Sequence, residues 1–320
     1  MIASELVAAP GNPRQAWTAG SLDAQDAWYY ALDAAALAEL DAVVAHLRRG
    51  PRPIVELRPD AFTLDAARAA VAPAHEALEA GRGFAVIDGL DLTRYRPEEA
   101  TALYWLVGQL LGEPFPQNVQ GTLLYDVRDT GQSVEYGARF SVTNAESSFH
   151  TDNSFGDTVL DYVGLLCLKT ARSGGLSQNV SGYTAMEVLR REAPRALEVL
   201  RQPFHVDRRG GVQEGEAPTA QVPVLGRHRE QLLVRYLRYW IEVGHRKAGV
   251  PLSESQLHPL DTLDAVAGRP ELRAEFALRP GQMFFLNNRW ILHNRTAFED
   301  HPDPEARRHL VRLWLRAREP

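Results

Sequence analysis

The spacing of apolar and polar positions changes character near Pro116. Before it, apolar residues recur mostly at helical spacing. Ser21 to Arg49 reads as a helix, with Ser21 as N-cap and Gly50-Pro51 as the stop. "RPIVELRP" reads as a short extended piece, and residues 63 to 81 as a second helix that Pro73 should kink or break. "GFAVIDGL", residues 83 to 90, is a β-branched and aromatic run ending in Asp-Gly, which predicts a strand and a turn. "RPEEATALYWLVGQLLG" predicts a third helix, with Pro97 near its start and Gly112 near its end.

After Pro116 short strand-like runs dominate: "GTLLYDV", "YVGLLCLK", "QVPVL", "QLLVRYL", "MFFLNNRWILH" and "HLVRLWLRA". Short strands between turn signals predict a sandwich or barrel. Helical excursions interrupt them between 180 and 275, beginning with "YTAMEVLRREAPRALEVLRQ". No repeat and no linker divides the chain. The expected organisation is one catalytic domain over residues 1–320. A helical extension, 1–82, packs on a β core, 83–318, that carries a helical insert at about 180–275. The Gly- and Glu-rich stretch 208–220 and the segment 128–146 are candidate lids over that core.

Composition narrows the class. The chain has 320 residues, 45% of them apolar, enough for a large core. A net charge of −6 argues against nucleic acid or an anionic membrane as main partner. The N-terminus lacks a signal-peptide pattern, and no apolar run is long enough to span a bilayer. Cys167 is the only cysteine and reads as a core residue, so no internal disulfide forms. The expectation is a cytoplasmic protein, with a homodimer as the default assembly.

Candidate chemistry centres on "SSFHTDNSF". His150 and Asp152 lie two apart, on one face of an extended chain. Such a pair suits a divalent metal, or an ordinary polar turn. A metal needs a third ligand, and His293 is the best candidate, because it ends the apolar run that begins at Met283. Arg308 and Arg312 share one face of the C-terminal strand. A buried guanidinium needs an anion, and its fork suits a carboxylate. Two imidazoles and one carboxylate would leave three positions of an iron open. Glu242 and His245, three apart in "WIEVGH", read as a solvated helix face.

Taken in order, "GFAVIDGL", "FHTDNSF", "ARSGGLSQNVS", "PGQMFFLNNRWILHNRTAF" and "RRHLVRLWL" resemble the taurine dioxygenase (TauD/TfdA) family of iron(II)- and 2-oxoglutarate-dependent oxygenases. The resemblance covers about residues 83 to 318. It implies an α+β fold with a double-stranded β-helix, or jelly-roll, core flanked by helices. It implies His150, Asp152 and His293 as iron ligands. Arg308, fifteen residues past the distal His, matches the arginine that pairs with the far carboxylate of 2-oxoglutarate. Ser177 stands after a Gly-Gly pair where the family often has Thr, and its hydroxyl can still donate one hydrogen bond.

The implied cofactors are Fe(II), 2-oxoglutarate and O2. The implied reaction is decarboxylation to succinate coupled to oxidation of a substrate C–H bond. Asp152 argues against halogenation, because related halogenases lack that ligand. Arg312 matches a position that meets an anionic substrate group in some relatives. Tyr125, Asn144, Phe149, Phe155 and Asn288 are further candidates for the substrate pocket, with Arg235 and Tyr236 behind them. The expected substrate is small and polar, anionic or amino-acid-like. Two other readings stay open: a different metalloenzyme on a cupin-like core, which would not need Arg308 and Ser177, and a binding protein on the same fold.

Overall fold

A computed structural model describes residues 13–22, 25–132, 140–209 and 217–318. Two sheets face each other. The larger runs in the order Tyr29–Ala31, Phe84–Asp88, Met283–Asn287, Tyr162–Lys169, His309–Arg316 and Glu113–Phe115, and Leu124–Val127 also pairs with His309–Arg316. All its pairings are antiparallel except that of Tyr29–Ala31 with Phe84–Asp88. The smaller sheet sets Ser177–Ser181 between Arg273–Phe276 and Ile291–Arg295, again antiparallel.

Alternation along the strands separates two cores. In the Met283–Asn287 strand, Phe284 and Leu286 join the core between the sheets, while Met283 and Phe285 join a second core beneath the helices. The C-terminal strand repeats this, with Leu310 and Trp314 on one side and Val311, Leu313 and Leu315 on the other. A period of two is what a strand imposes on side-chain direction.

Helices Ala34–Arg49, Asp65–Glu79 and Pro97–Leu111 cover the outer face of the large sheet. Helices Gly182–Glu192, Pro194–Leu200, Arg238–Ala248 and Glu254–Ala267 form the insert. No helix among the described residues is long and apolar enough to cross a membrane.

Several local expectations change. The first helix starts at Ala34, capped by Asp33, whose side chain accepts from the Ala36 N–H at 2.8 Å. Ser21 instead ends a short 3-10 turn. The intervening Tyr29–Ala31 is a strand, so the N-terminal extension adds an edge to the large sheet. Two aromatic residues at its start suit a half-buried pleated surface better than a helix. "RPIVELRP" forms 3-10 turns rather than an extended piece. Pro73 sits inside an unbroken helix. The run "MFFLNNRWILH" splits into two strands, Met283–Asn287 and Ile291–Arg295, in different sheets. His245 is buried rather than solvated; its Nδ1 lies 2.8 Å from the Val250 carbonyl.

Candidate active site

His150 and His293 are held together by backbone. Each N–H donates to the other's carbonyl, at 3.0 and 2.9 Å, and the ring centroids stand 4.3 Å apart. The strand that carries His293 thus reaches across to the segment carrying His150. Thr151 pins that segment from behind: its hydroxyl donates to the Val234 carbonyl at 2.9 Å and accepts from the Tyr236 N–H at 3.1 Å. Asn288 fixes the next residue, accepting from the Asp152 N–H at 2.8 Å and donating to the Asp152 carbonyl at 2.9 Å.

These constraints bring a ligand atom of each of His150, Asp152 and His293 within 4.8 Å of the others. The His150 Nδ1 lies 2.7 Å from the Ser148 carbonyl, so the ring donates there and turns an Nε2 lone pair to the centre. The Asp152 Oδ2 accepts from the Trp314 indole N–H at 2.9 Å and from Arg312 Nη1 at 3.1 Å. Its Oδ1 faces His150 Nε2 at 3.6 Å.

The electrostatics keep Asp152 and His293 in metal-binding form. Burial pushes the Asp152 carboxyl up, but the Arg312 charge, the His150 hydrogen bond and the His293 imidazole outweigh it. The net result lies well below the usual carboxylate range. Burial, reinforced by the neighbouring His150, pushes the His293 imidazole down to about 3. One carboxylate oxygen and two imidazoles on one side of a centre are the donor set of the non-haem iron facial triad.

The triad opens into a cavity of about 180 Å³ between the sheets. At its far end lie Ser177 and Arg308. Arg308 is 6% exposed, yet among the described residues its guanidinium has no ion pair and no side-chain hydrogen bond. It rests 5.0 Å over the Phe298 ring. Burial lowers it to about 10, so it remains a cation at neutral pH. Gly174 and Gly175 make this end possible. Both have positive φ, 73° and 69°. A Cβ on Gly174 would collide with the Ala297 carbonyl, and one on Gly175 would press on Arg308 Nε at 3.3 Å.

The other expected site residues divide. Arg312 and Phe155 line the cavity. Arg312 is already engaged: besides Asp152, its Nε donates to Gln117 Oε1 at 2.7 Å, and its guanidinium lies 5.3 Å over the Tyr125 ring. Tyr125 therefore stands behind Arg312 rather than at the cavity wall. Phe149 is buried in the core between the sheets. Asn144 is exposed and contributes its backbone carbonyl to Arg295 Nη1 at 3.1 Å. Asn288 holds Asp152 and does not line the cavity. Neither do Arg235 and Tyr236. The lid candidates fall partly outside the described residues, at 133–139 and 210–216.

Among the cavity-lining residues that escaped the sequence reading are Asn179, Arg295, Trp314 and Gln117. Trp314 carried a signal, because it shares the even face of the C-terminal strand with Arg308 and Arg312. Arg295, two past His293, carried the same one. Gln117 had none.

The chain matches the family model described as "Taurine catabolism dioxygenase TauD, TfdA family" over residues 52–314. It belongs to that family of iron(II)- and 2-oxoglutarate-dependent oxygenases. Among curated TauD relatives, FR-33289 synthase of Streptomyces rubellomurinus (strain ATCC 31215) is 29% identical over 316 residues, covering 97% of this chain and 91% of its own length. A uridine-5'-phosphate dioxygenase of a Streptomyces species is 27% identical over 213 residues, covering 63% and 73%. Among solved structures, asparagine oxygenase in complex with Fe(II), hydroxyasparagine and succinate superposes with a TM-score of 0.66 at 21% identity, covering 91% of this chain and 93% of that one. The non-haem iron oxygenase OrfP in complex with Fe and α-ketoglutaric acid gives 0.64 at 18%, covering 90% and 93%. These neighbours share the TauD fold and its jelly-roll core.

Proposed function

We propose that this enzyme decarboxylates 2-oxoglutarate to succinate and CO2 and oxidises a C–H bond of a small polar substrate, anionic or amino-acid-like. The observation that carries the reading is Arg308. A buried guanidinium with no ion pair among the described residues lines the same cavity as a two-His, one-carboxylate cluster. A 2-oxo diacid complements both ends, with one carboxylate for the guanidinium and a chelating 2-oxo acid for the metal.

His150, Asp152 and His293 would hold the Fe(II), Asp152 through Oδ1 alone because Arg312 and Trp314 occupy Oδ2. Arg308 and Ser177 would hold the far carboxylate. Bound Fe(II) supplies dioxygen activation and chelation of the 2-oxo acid. Val163, Leu165, Phe284 and Trp314 give the cavity apolar walls that limit water at the reacting centre. Hydroxylation, desaturation and cyclisation share this machinery and differ in the fate of the oxidised substrate carbon.

The substrate binds among Phe155, Trp240, Arg209 and Arg312, which line the same cavity as the triad. Arg209 lies 3.8 Å over the Trp240 ring, a cationic and aromatic wall suited to a polar anion. The phosphate named as part of the uridine-5'-phosphate relative's substrate, and the amino acids in the solved neighbours' complexes, favour the same class. Arg312→Ala should raise the KM of the primary substrate more than that of 2-oxoglutarate, as steady-state kinetics with each varied in turn would read.

The deciding experiment is anaerobic. Fe(II) and then 2-oxoglutarate are added to the metal-free protein, and the visible charge-transfer band of an iron-chelated 2-oxo acid is followed. The band should form in the unaltered protein and be absent in His150→Ala and His293→Ala. Its absence from the unaltered protein would overturn the reading.

A further inference from the structure

Asn179 is fully buried, 0% exposed, and lines the cavity. Among the described residues, neither its Oδ1 nor its Nδ2 has a hydrogen-bond partner. Gln178 and Asn294 beside it are satisfied. Gln178 donates to Glu275 and accepts from Asn294, and Asn294 also accepts from the Ser147 hydroxyl at 2.7 Å. A carboxamide buried with both ends empty is costly unless a ligand completes it.

Strand register says which part of a ligand it meets. Ser177 pairs with Arg295, and Asn179 pairs with His293. Ser177 and Asn179 share a face, about 7 Å apart along the strand. Ser177 therefore lies at the Arg308 end and Asn179 at the triad end, a separation matched by the two carboxylates of a five-carbon diacid. We propose that Asn179 is a positioning residue for the cosubstrate, donating from Nδ2 to the metal-chelating end of the 2-oxo acid. The role rests on the oxygenase reading above. It is distinct from that of Arg308 and Ser177, which act on the far carboxylate. A competing role exists: the Nδ1 of His293 is also buried without a partner, and Asn179 on the paired strand could serve it instead.

The test uses two 2-oxo acids. Pyruvate keeps the chelating end and lacks the far carboxylate. Fe(II) affinity and the anaerobic charge-transfer titrations with 2-oxoglutarate and with pyruvate are measured for the unaltered protein, Asn179→Leu, Asn179→Ala and Arg308→Ala. Leu keeps the volume, and Ala guards against a packing failure. Both Asn179 variants should bind Fe(II) as the unaltered protein does. They should bind both 2-oxo acids about tenfold more weakly, by a similar factor for each. Arg308→Ala should weaken 2-oxoglutarate alone. The proposal is overturned if Fe(II) affinity falls while 2-oxo acid affinity holds, if pyruvate binding is unchanged, or if nothing changes. No band in the unaltered protein would instead sink the oxygenase reading, and this inference with it.

Discussion

Two buried arginines are treated oppositely: Arg289, in the turn between Met283–Asn287 and Ile291–Arg295, and Arg308, just before the C-terminal strand. Arg289, 2% exposed, lies behind the triad. It pairs with Glu79 and with Asp161 at 3.2 Å, and donates from Nε to Asn287 Oδ1 at 3.1 Å. Arg308, 6% exposed, lines the cavity; its backbone N–H donates to Asp300, but among the described residues its guanidinium has no ion pair. Desolvating a guanidinium is expensive in both places. At Arg289 the chain supplies the anions and gains a fixed turn between two sheets. At Arg308 the chain leaves the charge to be completed by something that binds. Burial alone therefore does not mark a functional charge; burial without a built-in partner does.

The largest effect that would break this contrast is at Arg289. Arg289→Ala should destabilise the fold by about 3–5 kcal/mol, because it strands Asp161 in the interior. Denaturant unfolding of the metal-free protein measures it, and a change below about 1 kcal/mol would remove the structural role assigned to Arg289.

Ligand-linked stability sharpens the other half. With Fe(II) bound and oxygen excluded, 2-oxoglutarate at a hundred times its Kd should stabilise the unaltered protein by about 2.7 kcal/mol. Thermal unfolding reads this, and most of it should vanish in Arg308→Ala at the same concentration. Direct titration should place the loss of 2-oxoglutarate affinity in Arg308→Ala at about 1.5–3 kcal/mol. The same variant without ligand should be at least as stable as the unaltered protein, since it no longer buries an uncompensated charge. A large loss of ligand-free stability would put Arg308 in the same class as Arg289.

The smallest effect concerns pH. His293 has a folded value lowered by burial to about 3, against an ordinary imidazole value near 6.5. In the window between these the unfolded chain binds a proton that the folded one does not. Stability of the metal-free protein should therefore fall as pH drops below about 6.5, by at most about 1.4 kcal/mol per unit. Unfolding followed from pH 7 to pH 5, with His293→Gln beside it, tests this; the variant's curve should be flatter.

The N-terminal region shows where reading the chain stops working. Tyr29–Ala31 is a three-residue strand whose pairing partner, Phe84–Asp88, lies more than fifty residues away. The paired tyrosines and the Asp33 cap are weak local hints, and the partner strand that decides the matter is too distant for a local pattern to show. In contrast, Pro97–Leu111 and Tyr162–Lys169 were legible because capping and apolar patterning are local properties. The run from Met283 to His293 was legible as apolar strand. Its division between two sheets was not, because that depends on Asn287, Asn288 and Arg289 finding partners at Leu78, Asp152, Asp161 and Glu79.

The same division runs through the site. By itself the sequence determined the donor types, their order, and the shared face of Arg308, Arg312 and Trp314, because chemistry and strand period are written residue by residue. Only the tertiary structure decided which arginine is already neutralised. Arg312 meets Asp152 across sequence, while among the described residues the Arg308 guanidinium has no ion pair and the Asn179 amide, which lines the cavity, has no partner. Whether a buried polar group has a partner is a property of what long-range packing brings within about 3 Å of it, and no local pattern carries that.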